Sequence, residues 1–320
     1  MYLSRAQAFM TTIVLFIILP ILILLGLYLG GKNTIIDNLI YVFFAANFIF
    51  ILFRAAYWEF TNYYLRYAYV LIFLVIAIRN LFFIDRSLQS MSDWNVGIDV
   101  VVLIVSFILL YLNIAIIRAS KKPSKHINLS FPFKNGRYIV TDGGDGNISS
   151  LLNYHSKAQV HKSGKSNTSM RFATDIAKMN KIGCTVTSVL TKENKDYEIF
   201  HEEVYSPCEA NVINVVDEIE DNIPFSRKYP YNVGNCVTLK LDHYYIVMGH
   251  LAKGTIAVKP GDRVKPGQLL GIIGNAGLTP RPHLHMQVSE CEDGQYWQGE
   301  SIPIVFNNSY YPVKNKVIKV

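Results

Sequence analysis

Twelve consecutive residues carry the most information about this chain: Gly274-Asn275-Ala276-Gly277-Leu278-Thr279-Pro280-Arg281-Pro282-His283-Leu284-His285. A glycine-rich turn precedes two histidines at positions i and i+2. Side chains at these positions of a β-strand point to the same face, so His283 and His285 can converge on one metal ion or one polarised water. The segment therefore predicts a strand that carries the site of a zinc hydrolase.

The residues around this segment predict a β domain. Upstream, Val258–Gly271 alternates Pro-Gly turns with valines and leucines, a pattern typical of short strands that fill a core. Long helical periodicity is scarce throughout the second half of the chain. We therefore expect a mainly antiparallel β domain. Its strand candidates are Arg137–Thr141, Glu203–Tyr205, Ala210–Val216, Asn235–Leu241, Tyr244–Gly249, Gln268–Ile273 and Leu284–Val288.

The first half of the chain has a different composition. Residues 1–117 are almost wholly apolar and aromatic, and they contain four windows close to the ~20 residues that span a bilayer. A length of 320 residues makes two domains the default expectation. We therefore predict an α-helical membrane region over 1–117, a linker over 118–130 and the β domain over 131–320. The four spans are expected at about 8–30, 36–53, 64–84 and 96–117.

The net charge limits the classes of partner that the protein is expected to bind. The net charge of +7 suits lipid headgroups or an anionic envelope, and no Lys/Arg run is interleaved with aromatic residues, which argues against a nucleic-acid partner.

The distribution of cations bears on the orientation in the membrane. Four spans would place both ends of the membrane region on one side, and seven cations lie on that side against three on the other. The positive-inside rule then favours a cytoplasmic β domain. The seven are Arg5, Arg54, Arg66, Arg118, Lys121, Lys122 and Lys125, and the three are Lys32, Arg79 and Arg86. The four cysteines form no C-x-x-C pair, and they are either two disulfides or four free thiols.

Three motifs stand in a familiar order and spacing: Met248-Gly249-His250-Leu251, then Val258–Gly271, then the segment from Gly274 to His285. In this respect residues 137–290 resemble the lysostaphin-type zinc metallopeptidases, a family of peptidoglycan endopeptidases. The resemblance implies a β-rich fold with a groove, of the barrel-sandwich hybrid kind, and one zinc ion. It also implies cleavage of peptide bonds in peptidoglycan, here by an enzyme anchored in the lipid bilayer. The membrane half lies outside the resemblance.

The resemblance also implies roles for individual residues. The family's zinc ligands are a histidine, an aspartate four residues later and the second histidine of H-x-H; the last two correspond to Asp175 and His285. His250 and His283 correspond to the pair that orients the water, takes its proton and stabilises the oxyanion.

The chain departs from the family at the first ligand, where Arg171 stands. A guanidinium has no lone pair and cannot bind zinc. His155 is the first candidate for the missing ligand and His161 the second. Arg171 could then pair with Asp175 or bind a substrate carboxylate.

Arg171 also keeps two other functions open. The β domain could be an inactive peptidase-like module that recruits or regulates another cell-wall hydrolase. Alternatively, the spans could do the main work, with the β domain as a sensor. A peptidoglycan substrate would require an extracytoplasmic β domain, whereas the count of cations favours a cytoplasmic one. The β domain would be extracytoplasmic if the third window, which contains Arg66 and Arg79, does not cross the membrane. On the family resemblance, we expect the extracytoplasmic orientation.

Overall fold

Apolar helices and a β domain follow one another along the chain in a computed structural model of the protein. The helices are α1 (Arg5–Ile13), α2 (Leu19–Leu29), α3 (Ile35–Ala55), α4 (Leu65–Ile78) and α5 (Val96–Ala119). Short π-helical segments, Val14–Ile18 and Arg79–Phe83, join α1 to α2 and extend α4. The structure describes residues 5–29, 35–83, 96–156, 168–187, 191–226 and 233–320.

Four of these helical stretches are long and apolar enough to cross a membrane: Phe9–Leu29, Ile35–Ala55, Leu65–Phe82 and Val96–Ala119. The prediction of four apolar helices is therefore confirmed, with bounds close to those expected. The third stretch, the weakest in sequence, is 18 residues long with a mean hydropathy of 1.7. The division of the chain into membrane region, linker and β domain stays a prediction.

Polar contacts hold the helices together. Pro20 has no N–H to donate to the carbonyl four residues earlier, and this carbonyl of Phe16 instead accepts a 2.9 Å hydrogen bond from the Tyr69 hydroxyl of α4. Between α3 and α5, the Asn113 amide donates to the Asn47 side-chain oxygen at 2.9 Å. Such interhelical hydrogen bonds are typical of helices packed in a bilayer, where apolar residues alone give little preference for one partner.

The β domain is mainly antiparallel, as predicted. A nine-stranded sheet has the order β13-β2-β3-β10-β7-β6-β5-β8, with β11 paired to β10. Two short pairs, β4 with β9 and β1 with β12, complete it, and only the last is parallel. The strands are β1 Ile127–Leu129, β2 Arg137–Asp142, β3 Thr174–Lys178, β4 Glu203–Tyr205, β5 Ala210–Val216, β6 Asn235–Leu241, β7 Tyr244–Leu251, β8 Arg263–Val264, β9 Leu269–Ile272, β10 Leu284–Glu290, β11 Glu300–Ser301, β12 Ile304–Phe306 and β13 Val317–Lys319.

The β domain is docked onto the helices through the connection between α3 and α4. Within that connection, Glu59 forms a 2.8 Å ion pair with Arg281 of the glycine-rich turn, and its side chain is fully buried. At the start of α4, Arg66 donates to the Asn315 carbonyl at 3.1 Å and is buried against the β domain. The Lys314 ammonium lies 3.4 Å from the centre of the Tyr57 ring. These contacts fix the central strands, and the site on them, against the membrane half.

Candidate metal centre

Three side chains from separate parts of the β domain meet above strands β3 and β10. Asp175 on β3 lies opposite His285 on β10 in the antiparallel register. His155 comes from the loop that follows β2. The His285 Nδ1 lies 3.0 Å and the His155 Nε2 lies 3.4 Å from the same Asp175 oxygen, Oδ1. Their three donor atoms lie within 4.8 Å of one another, and all three side chains are buried.

Two further side chains fix which ring nitrogen faces the centre. The Nδ1–H of His155 donates to the Asn153 side-chain oxygen at 2.8 Å, which leaves Nε2 directed at Asp175. The Nε2–H of His285 donates to the Gln287 side-chain oxygen at 3.1 Å, which leaves Nδ1 directed at Asp175. Such outer partners orient metal-binding histidines. The structure thus adds Gln287 to the predicted residues, and its position two residues after His285 on one strand is the signal that could have found it.

His250 and His283 lie beside the three. Their ring centres are 4.6 Å apart, and the Nε2 of His283 lies 3.2 Å from Asp175 Oδ2. The Nδ1–H of His250 donates to the Ala276 carbonyl at 2.8 Å, so a neutral His250 ring carries its lone pair on Nε2. The Nδ1–H of His283 donates to the Arg281 carbonyl at 2.9 Å.

The glycine-rich turn is what brings the Ala276 carbonyl to His250. A side chain at Gly234 would place its Cβ 2.1 Å from the Ala276 oxygen, so the two chain segments approach closely only with glycine there. His250 itself has a φ of 67°, in the left-handed region that non-glycine residues avoid. Backbone strain of this kind tends to collect at functional sites, and here it aims an imidazole at the centre.

Burial and neighbouring charges shift the pKa values of His250 and Asp175. Burial lowers the pKa of His250 well below its ordinary value, and the nearby His283 and His285 lower it further. Burial would raise the pKa of Asp175, but the facing rings of His283 and His155 hold it well below its ordinary value. Asp175 is therefore an ionised acceptor at neutral pH, whereas His250 is a neutral base.

The donor set fits a zinc ion. At zinc–ligand distances of about 2.0–2.1 Å, tetrahedral geometry separates neighbouring ligand atoms by about 3.4 Å. The observed separations of 3.0 Å and 3.4 Å from Asp175 Oδ1 are close to this value. Two imidazoles and one carboxylate are also the number and kind of protein ligands that catalytic zinc sites use.

Arg171 lies outside this cluster. Its guanidinium forms a bidentate pair with Asp145, with contacts of 2.8 Å and 2.6 Å, rather than the pairing with Asp175 considered above. Its role as a substrate-binding residue stays a prediction. His161, the second candidate ligand, lies outside the described residues. The four cysteines, all in the described part of the chain, carry free thiols.

Part of the β domain matches a known peptidase family in sequence. Residues 196–298 match the sequence model of peptidase family M23. The M23 match includes His250, His283 and His285, and it begins after His155 and Asp175. The match thus covers the part of the chain that carries three of the five site residues, and the other two lie outside it.

One curated relative and two solved structures are similar to parts of this chain. An uncharacterized metalloprotease of Buchnera aphidicola subsp. Baizongia pistaciae is 38% identical over 71 residues, which are 22% of this chain and 18% of that protein. A zinc-containing peptidase from Vibrio cholerae is 21% identical, with a TM-score of 0.31, over 55% of this chain and 39% of its own. The catalytic domain of lysostaphin from Staphylococcus simulans is 19% identical, with a TM-score of 0.28, over 41% of this chain and 75% of its own. The matched part thus spans less than two thirds of the first two relatives.

Proposed function

We propose that this protein is a membrane-anchored zinc metalloendopeptidase that hydrolyses peptide bonds of the peptidoglycan type. The convergence of His155, Asp175 and His285 on one point, with His250 and His283 beside it, is the observation that carries the proposal. The match to peptidase family M23 supports peptide hydrolysis, and peptidoglycan is the substrate that the resemblance to lysostaphin-type enzymes implies.

Three of the five side chains would bind the metal, and the other two would act on the water and the substrate. His155, Asp175 and His285 would hold the zinc ion, with Asn153 and Gln287 orienting the two rings. When bound, zinc supplies a water of lowered pKa and polarises the scissile carbonyl. The neutral Nε2 of His250 would accept a proton from the attacking water. The Nε2 of His283 would donate a hydrogen bond to the oxygen on which negative charge develops. Hydrolysis then leaves a carboxylate and an amine.

The alternative of an inactive binding module rested on Arg171. That support is weakened, because Arg171 is paired with Asp145 away from the cluster and His155 supplies a third donor atom. No observation on the described residues favours the sensor alternative over the peptidase.

Zinc content and peptide cleavage test the proposal together. The full-length protein in detergent should hold about one zinc ion per chain and cleave peptidoglycan-derived peptides, as one three-ligand site requires. Both His285→Ala and His155→Ala should lose the metal and the activity. His243→Ala is the matched control, because its side chain is half exposed at the surface. A metal-free wild-type protein, or full cleavage by His285→Ala, would overturn the proposal. Loss of zinc in His161→Ala but not in His155→Ala would reassign the third ligand.

A further inference from the structure

A cavity of about 320 Å³ lies between the candidate metal centre and the membrane half. Asp175 and His283 line its inner end. Leu15 and Phe16 of the first span line another part, together with Tyr57 and Phe60 from the connection between α3 and α4. The cavity therefore extends from the candidate metal centre to a wall formed by residues of the helical half.

That wall belongs to the first candidate span, which begins at Phe9. Leu15 is six residues, or about 9 Å of helix, further along. A π-helical turn, Val14–Ile18, carries both Leu15 and Phe16. Such turns are rare and are frequent at functional sites.

The cavity is held in shape by its neighbours. The Phe16 carbonyl is bonded to the Tyr69 hydroxyl, and the Phe16 ring lies 6.3 Å from the Tyr57 ring. On the opposite side, the rings of Phe60 and Phe225 are 6.0 Å apart and bridge the two halves of the molecule. A site whose walls are already packed binds its ligand without having to order them, which favours affinity.

An extended hydrocarbon chain is thinner than an α-helix, which is about 10 Å across with its side chains, and it can lie along Leu15 and Phe16. Such a chain can come from the bilayer, and its attached peptide would reach Asp175 and His283 at the inner end.

We propose that the cavity receives the hydrocarbon chain of a lipid-linked peptide, so that the substrate is cleaved while tethered to the membrane. This inference rests on the proposed peptidase function and specifies its substrate class. The chain lies along Leu15, Phe16 and Phe60, and the scissile bond of the attached peptide lies at His283. The five site side chains are buried beneath this interface, which suits a substrate presented at the membrane surface.

Two measurements on the full-length protein in phospholipid nanodiscs test the proposal. The first compares cleavage of one peptidoglycan-derived peptide with and without an attached myristoyl chain. We expect the lipid-linked form to have a kcat/KM about tenfold higher or more, because burying only a few methylenes gives that factor. The second uses the same lipid-linked peptide with its scissile amide replaced by a methylene-amine and a photoreactive group on the chain. Cross-links should concentrate on Thr11–Phe16 and Phe60.

Two variants distinguish binding of the lipid chain in the cavity from simple partitioning of the lipid-linked peptide into the membrane. Leu15→Trp fills the cavity and should reduce the ratio of lipid-linked to free-peptide cleavage by about tenfold. Leu22→Trp adds the same bulk to the same span at an exposed position outside the cavity, and it should leave the ratio unchanged.

The outcomes distinguish the two proposals. Cleavage of neither peptide would overturn the peptidase function itself. Equal cleavage of both, an unchanged ratio in Leu15→Trp, or cross-links spread evenly over the spans would overturn the lipid-linked substrate and leave the peptidase standing. A free peptide with two leucines beside the scissile bond that is cleaved as well as the lipid-linked form would show that apolar side chains, not a lipid chain, occupy the cavity.

Discussion

Gln287 determines which nitrogen of His285 can bind a metal. Its side-chain oxygen accepts the Nε2–H of His285, and its amide is held in turn by donation to the Ser169 hydroxyl at 2.9 Å. Outer partners of this kind are worth ~10–100-fold in metal affinity. We therefore predict that Gln287→Ala weakens zinc binding by about that factor, as measured by competition with a chromogenic chelator.

The control for this prediction is Gln268→Ala, which removes an exposed glutamine whose oxygen accepts only a turn N–H. It should leave zinc affinity at the wild-type value. Unchanged affinity in Gln287→Ala, in a protein with normal thermal stability, would show that Asp175 alone orients the His285 ring.

Arg171 is expected to stabilise the fold rather than bind metal. Its side chain is 41% exposed, whereas the partner carboxylate of Asp145 is almost fully buried. Arg171→Gln should therefore keep its zinc and lose about 1 kcal/mol of unfolding free energy, a value limited by solvent screening of the exposed guanidinium. Denaturant unfolding and metal analysis of Arg171→Gln, Asp145→Asn and the double variant measure the coupling. Loss of zinc in Arg171→Gln alone would contradict the assignment.

Among the larger elements, the connection between α3 and α4 acts on the site through one ion pair. The Glu59 side chain is fully buried, and that of Arg281 is 13% exposed. Arg281 lies two residues before His283, and the Arg281 carbonyl accepts a hydrogen bond from the Nδ1–H of His283. Removing one partner of a buried pair leaves the other charge uncompensated, at a cost of about 3–5 kcal/mol. We predict that Glu59→Gln lowers the unfolding free energy by about that amount and lowers kcat more than it raises KM.

Glu209→Gln is the matched control for this change, because its pair with Arg263 is exposed on both sides. It should cost less than ~1 kcal/mol. If Glu59→Gln and Glu209→Gln have equal effects on stability and activity, the membrane half does not support the site through Arg281.

Local patterns account for the elements that the sequence predicted well. Short runs rich in valine, leucine or isoleucine and bounded by turn residues place β5 and β6 at the expected residues, Ala210–Val216 and Asn235–Leu241. The strand β10 begins at Leu284, so His285 lies on it and His283 directly before it, and both rings face Asp175. Long runs of apolar residues likewise suffice for the four helices, since length and hydropathy alone define a candidate span.

Contacts between distant parts of the chain were beyond sequence reasoning. Glu59 and Arg281 are 222 residues apart, and nothing local in either segment specifies the other. The partner of Arg171 was missed for the same reason: Asp145 stands in a polar turn that offers several acceptors. Placement of His155 beside Asp175 depends on how a loop folds over the sheet, so the sequence alone left His155 and His161 as competing candidates.

For the whole molecule, the contacts constrain which parts share a side of the membrane. The connection between α3 and α4 touches the β domain directly, through Glu59 and the neighbouring Tyr63, whose N–H donates to the Gly183 carbonyl. Four crossing helices then place the start of the first span on that same side. The expectation of an extracytoplasmic domain rests on the family resemblance and on a third segment that does not cross. Leu65–Phe82 is helical and long enough to cross, and the side of the membrane stays a prediction.

If all four stretches cross, the charge balance of seven cations against three predicts a cytoplasmic β domain. In this orientation a lipid-linked peptide on the inner leaflet would reach the site, whereas peptidoglycan outside the membrane would not. The partly exposed thiol of Cys291 reports the side directly. A membrane-impermeant maleimide should label it only after intact cells are permeabilised, whereas Ile35→Cys, at the exposed start of α3 on the opposite face, should be labelled without permeabilisation. The reverse pattern would place the β domain outside and would make the charge balance of this chain an exception to the positive-inside rule.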